Sequence, residues 1–188
     1  TSHRGRVSAM YKFKYKERFN CDAKTAFAGT TGDFAGIEKY VPNITKVEIL
    51  SHEVKDGGDF RWLLKFHGDG SIPLVARAVI RPDMLCWNEE LLCDPRALAI
   101  DWKIETYFFK EHFKCGGHTT YIDLPGGSEM IVDGFLNVTL SHLPGFPDHL
   151  VKRAVAAFEP FVGKFVEPNL SRFYKAMKKR MADRGELK

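Results

Sequence analysis

Residues 147–182 read PDHLVKRAVAAFEPFVGKFVEPNLSRFYKAMKKRMA, and the reading of this stretch, Pro147 to Ala182, decides how the rest of the chain is arranged. Val151, Ala154, Val155, Phe158, Phe161, Val162, Phe165, Val166 and Phe173 recur at steps that gather them on one stripe of a helix. Lys152, Arg153, Glu159, Lys164 and Glu167 fall off that stripe, toward solvent. The pattern predicts one long amphipathic helix lying as a lid on a curved sheet. Pro160 and Pro168 interrupt it, and a proline inside a helix costs roughly 3 kcal/mol by removing a backbone bond and crowding the previous turn. The stripe keeps its phase across both, so kinks are expected there rather than ends.

The residues before this helix change period. Tyr11, Phe13, Tyr15 and Phe19 alternate with Lys12, Lys14, Lys16 and Arg18, the pattern of a half-buried strand whose inner face is broken only by Glu17. Asn20 or Asp22 can cap a short helix carrying Ala23, Ala26 and Phe27, which Gly29 and Gly32 end. Asp33 can cap a second one with Phe34, Ile37 and Tyr40, stopped by Pro42. From Ile44 to Ser141 the period is two, punctuated by turns. Strands are expected over Ile44–Val54, around Phe60–Phe66 after the Asp56-Gly57-Gly58 turn, and over Leu74–Arg81, Met84–Cys93, Leu98–Glu105, His112–Leu124 and Met130–Leu140. Gly116-Gly117 is a candidate bulge. Consecutive strands on short turns must run antiparallel, and helices gathered at the chain ends give an α+β class. The expected architecture is a curved antiparallel sheet of about seven strands around a long kinked C-terminal helix, with two short helices after the first strand. One domain is expected over residues 10–183, between a flexible leader at 1–9 and a flexible tail at 184–188.

Composition narrows the function. A net charge of +4, spread along the chain, argues against nucleic acid as a partner. Cys21, Cys86, Cys93 and Cys115 lack paired C-x-x-C spacing, so reduced thiols and a cytoplasmic setting are expected. Arg4 and Arg6 have no apolar run behind them, so no signal peptide is read, and no stretch approaches a membrane span.

The chain resembles the START-like superfamily, also called SRPBCC or helix-grip, near its polyketide cyclase/dehydrase and lipid-transfer branches. The opening Phe19-Asn20-Cys21-Asp22-Ala23-Lys24-Thr25-Ala26-Phe27 is similar to that family's strand-to-helix entry. Tyr40-Val41-Pro42-Asn43-Ile44-Thr45-Lys46-Val47 is similar to its passage into the second strand. Phe158-Glu159-Pro160-Phe161-Val162 with Pro168-Asn169-Leu170 looks like the lid of an uncharacterised branch. The resemblance implies a deep apolar cavity for lipids, sterols, polyketides or other hydrophobic molecules, and no one shared reaction.

If such a cavity exists, its walls should be Trp62, Leu64, Phe66, Trp102, Ile104, Leu136 and Val138 from the sheet and Phe158, Val162 and Phe165 from the lid. The plain alternative is that they fill the core. Asn169, on the lid stripe, would bond either a ligand or a carbonyl freed by Pro168. Arg77, Asn88 and Glu90 lie in strands whose facing the pattern leaves open, and an Arg–Glu pair across strands would account for two of them. His112, Cys115 and His118 would converge on a metal only if the glycine pair bulged, and neither a metal nor a cofactor is expected. No catalytic residue is assigned. The faces Lys12/Lys14/Lys16/Arg18 and Lys175/Lys178/Lys179/Arg180 are either solvated or steer the protein to a membrane surface in passing. Three functions fit: a binding or carrier protein for a small hydrophobic ligand, a cyclase or dehydratase with an unpartnered ionisable group facing inward, or a protein-interaction module. Oligomeric state is left open.

Overall fold

The computed structural model describes residues 7–68, 85–107, 110, 111, 113–140 and 168–187, with side chains from Met10 onward in the first strand. Strand β1 (Val7–Phe19) leads to helix α1 (Ala23–Thr31), and six further strands follow: β2 (Ile44–Val54), β3 (Phe60–Gly68), β4 (Cys86–Asp94), β5 (Ala99–Thr106), β6 (Phe113–Leu124) and β7 (Gly127–Leu140). A second helix, α2, is described over 168–183. All seven strands form one antiparallel sheet in the order β1-β7-β6-β5-β4-β3-β2, so every chain neighbour from β2 to β7 is also a sheet neighbour and β1 joins by pairing with β7. The α+β architecture is the one expected.

The alternation in β1 places its side chains as read. Phe13 and Phe19 are buried, and Glu17 shares their face. The strand starts at Val7 rather than Tyr11, because Val7, Ser8 and Ala9 pair with Leu140, Thr139 and Val138. Asp22 is the cap of α1, its carboxylate accepting from the Thr25 amide at 2.8 Å. The helix runs through Gly29 and ends at Gly32. The second short helix is a single 3-10 turn, Ile37–Lys39, and its cap is Gly36 at φ 74° rather than Asp33, whose carboxylate accepts from the Ala35 amide at 2.8 Å in the turn before it.

One expectation on the sheet is corrected. Gly116-Gly117 forms no bulge; the ladder runs in unbroken register through both, and the irregularities lie instead in β2, between Ile44 and Lys46 and between Ile49 and Ser51. The glycines serve close approach. Gly117 and Gly134 face each other across β6 and β7, with Trp102 beyond one and Phe13 beyond the other. A Cβ on Gly117 would meet Trp102 Cζ2 at 2.6 Å, and one on Gly134 would meet Phe13 Cζ at 2.3 Å. The two rings therefore lean over bare backbone from opposite sides, 6.3 Å apart.

The helices close one end of the concave face. Met177 and Met181 of α2 are fully buried, and the Met181 side chain occupies the space that a Cβ on Gly29 would need. Arg180, 3% exposed, donates to the Asp33 carboxylate at 2.8 Å and to the Asp33 carbonyl at 2.6 Å, while Arg184 reaches the same carboxylate at 2.9 Å. Arg184 thus ties down the segment read as the tail. The expected strand Leu74–Arg81, the lid residues Phe158, Val162 and Phe165, both sides of Pro160, and Arg77 and His112 lie outside the described residues.

Candidate functional site

The inner face of the sheet is set by register. Trp62, Leu64 and Phe66 of β3 stand opposite Leu91, Glu89 and Trp87 of β4, and those opposite Trp102, Ile104 and Thr106 of β5. Trp62, Leu64, Phe66 and Val138 are buried side chains. Trp62 is held by the closed end: its indole donates to the Thr31 carbonyl at 2.8 Å, Phe34 packs edge-on to it, and His52 stacks on it at 3.8 Å. Phe66 stacks on Trp87 at 5.5 Å. Trp102, Ile104 and Leu136 share the same inner face but are half-buried rather than buried. Asn169 is exposed. The inward side of α2 is carried by Leu170, Phe173, Tyr174, Met177 and Met181, and this phase puts Asn169 on the helix flank.

Between Leu64 and Ile104, on that inner face, lies Glu89. Its side chain is half-buried on that inner face, and among the described residues its carboxyl has neither a hydrogen bond nor an ion pair. Burial is the sole cause acting on it and pushes its pKa up to about 7, so near neutral pH it is divided between charged and uncharged forms. Two other titratable groups feel its charge. The Cys115 thiol of β6 is pushed up to about 12, chiefly by burial, and the Tyr174 hydroxyl of α2 is held well above its ordinary range, again chiefly by burial. Tyr174 stacks on Tyr15 at 6.0 Å and meets Phe173 edge-on. Its hydroxyl, like the Glu89 carboxyl, has no hydrogen-bond partner among the described residues. The sheet wall and the helix wall therefore each present one unsatisfied polar group in an otherwise apolar lining.

Of the three residues whose facing the sequence left open, Asn88 and Glu90 are now placed, and Arg77 lies outside the described residues. Glu90 points outward and accepts from Arg61 at 2.5 Å and Lys103 at 2.7 Å; Asn88 accepts from the Tyr107 hydroxyl at 2.9 Å, also outward. The arginine paired with Glu90 across strands is Arg61 of β3; the Arg77–Glu90 pair that the sequence suggested lies outside the described residues. Glu17 is anchored to α2: Lys178 donates to it at 2.7 Å and Tyr15 bonds it from the same strand. Lys178 and Arg180, read as part of a basic face, are thus committed to internal partners, and Lys14 and Lys16 pair with Asp133 and Glu129. Cys115 faces inward, whereas His118 faces outward and bonds Asp101 at 2.7 Å, so these two cannot share a metal. Among the described residues no cluster of His, Cys, Asp or Glu could hold an ion. A groove of about 630 Å³ on the outer side of β5–β7 includes Lys103, His118 and Asp133, each already paired, and neither Glu89 nor Tyr174.

Solved structures share this layout. The Zhui aromatase/cyclase from Streptomyces sp. R1128 superposes with a TM-score of 0.63 at 17% identity, over 94% of this chain and 96% of that one. This is the START-like, helix-grip fold. The helix-grip protein Ara h 8.0201 matches with a TM-score of 0.57 at 18% identity, over 93% and 99% of the two chains. Norcoclaurine synthase from Thalictrum flavum, solved with dopamine and hydroxybenzaldehyde, matches with a TM-score of 0.56 at 13% identity, over 94% and 88%. No protein-family model matches the sequence, and no curated protein sequence matches it. At these identities the likeness is one of fold. Among the described residues no helix is long and apolar enough to cross a membrane.

Proposed function

We propose that the protein binds one small hydrophobic molecule between the concave face of the sheet and its C-terminal segment. The observation that carries this reading is that Trp102, Ile104 and Leu136 face inward and yet stay partly accessible, while the other end of the same face is packed shut. Helix-grip neighbours include a synthase solved with two small aromatic molecules in place. Apolar burial would supply most of the affinity, at about 25 cal/mol per Å² before the entropy costs of association. The lid residues Phe158, Val162 and Phe165 complete the wall in this reading. Native mass spectrometry of the purified protein, with organic extraction of what it carries, tests it. A retained hydrophobic species, or one taken up on addition, supports it; a protein that takes up none contradicts it.

A second reading, a cyclase or dehydratase working on a polyketide-like substrate, is favoured by one specific residue. Glu89 is an inward carboxyl without a structural partner, and its pKa of about 7 suits proton transfer near neutral pH. Turnover that is lost in Glu89→Gln while binding survives would select this reading over the carrier.

A further inference from the structure

We infer that the ligand is a neutral, ring-bearing molecule with a carbonyl or hydroxyl oxygen, and that the protonated carboxyl of Glu89 donates to this oxygen while the Tyr174 hydroxyl serves a second polar point from the opposite wall. The inference rests on the binding function proposed above and names its ligand class. A polar group in an apolar interior costs free energy unless it is bonded, and folded proteins rarely leave one unmatched. On the inner side of the sheet, Glu89 of β4 and Tyr174 of α2 are half-buried and have no hydrogen-bond partner among the described residues, and the Tyr174 hydroxyl feels the Glu89 charge. Their surroundings decide the chemistry. Among the described residues, the groups facing Glu89 are Leu64 from β3, Ile104 from β5, the Cys115 thiol from β6 and the Tyr174 hydroxyl from α2, and no basic side chain acts on it.

Burial holds that thiol and that hydroxyl uncharged, and favours the uncharged carboxyl as well. A cationic ligand would have to desolvate its own charge and Glu89's together, whereas a carbonyl oxygen asks only for the donor that the neutral carboxyl already presents. Trp87 and Trp102 on the sheet and Phe173 on α2 supply flat aromatic surface for rings. A carboxylic acid kept neutral beside a tyrosine to bind a substrate oxygen is an arrangement used in ketosteroid isomerase.

Fluorescence titration with three matched probes tests this: 2-acetonaphthone, 2-ethylnaphthalene and 2-(aminomethyl)naphthalene. At pH 6 the ketone should bind roughly fivefold tighter than the hydrocarbon, the worth of one net hydrogen bond. The advantage should vanish in Glu89→Leu, and should shrink in Tyr174→Phe. Ketone affinity should fall as pH rises above about 7 in the wild-type chain, and stay level in Glu89→Gln, whose amide still donates but does not titrate. Equal binding of ketone and hydrocarbon would overturn the inference and leave the cavity reading standing. Tighter binding of the amine, with affinity rising with pH, would overturn it in favour of a carboxylate–cation site. Failure of all three probes to bind would overturn both.

Discussion

The two ends of the concave face are built from similar residues to opposite effect. At the α1 end, Phe19, Ile100, Met130 and Met181 are packed shut, and Tyr121 is matched to Thr30 at 2.6 Å, Trp62 to Thr31 and Arg180 to Asp33, with the small Ser128 hydroxyl the buried group there that has no partner among the described residues. At the far end Trp102, Ile104 and Leu136 are half-buried, and Glu89 and Tyr174 are unmatched among the described residues. Folding alone accounts for the first arrangement. The second lowers stability, since a buried carboxyl without a partner disfavours the folded chain whenever it ionises. The difference separates a region selected by packing from one that packing leaves unexplained.

The sharpest way to break the matched end is Asp33→Ala. It takes the carboxylate from the buried Arg180 guanidinium and leaves it the Asp33 carbonyl, and loss of about 3 kcal/mol in chemical denaturation is expected. A loss below about 1 kcal/mol would mean that Arg180 finds water and that the end is less tightly closed than its contacts imply. The unmatched end should respond to pH. Glu89 has its folded pKa raised from 4.5 to about 7, so the folded state holds a proton that the unfolded state has released. Stability from this group is therefore fullest below pH 4.5 and declines as pH rises to about 7, by up to about 3 kcal/mol. The difference in stability between wild type and Glu89→Gln, followed by urea denaturation, should open over that window; a difference independent of pH would remove the distinction between the ends.

The floor joining the two ends depends on Gly134. Gly134→Ala drives a Cβ into the Phe13 ring, and a loss of about 2 kcal/mol is expected. A smaller effect, about 1 kcal/mol, is expected when Tyr15→Phe removes the bond to Glu17, leaving the Lys178 clamp in place.

Much of this fold was legible because its pattern is local. The β1 alternation, the Asp22 cap and the hairpin turn at Asp56-Gly57-Gly58 each follow from a few adjacent residues. The candidate site was not legible for the same reason. In β4, Glu89-Glu90 and Leu91-Leu92 are identical pairs, so alternation has no phase there, and nothing local separates the inward Glu89 from Glu90, which is paired on the outside. Only the register with β3 and β5, Leu64 to Glu89 to Ile104, turns Glu89 inward. A hairpin count from the inward Ile100 to Cys93 could have found it, since every second residue back from Cys93 then faces in. The Gly117–Gly134 pairing was hidden similarly, because two glycines acquire a joint purpose only when strands β6 and β7 align. The apolar stripe carried past Pro168 puts Asn169 at its centre, whereas α2 runs at a phase set by Met177 and Met181 that leaves Asn169 exposed.

The most direct test of an inward, unpartnered Glu89 is a carboxyl-carbon NMR titration of protein labelled in its glutamate side chains, with the resonance identified by its absence in Glu89→Gln. A midpoint near pH 7, rising further when 2-acetonaphthone is added, is the predicted result. A midpoint near the ordinary 4.5 would place the carboxyl in water and contradict the account.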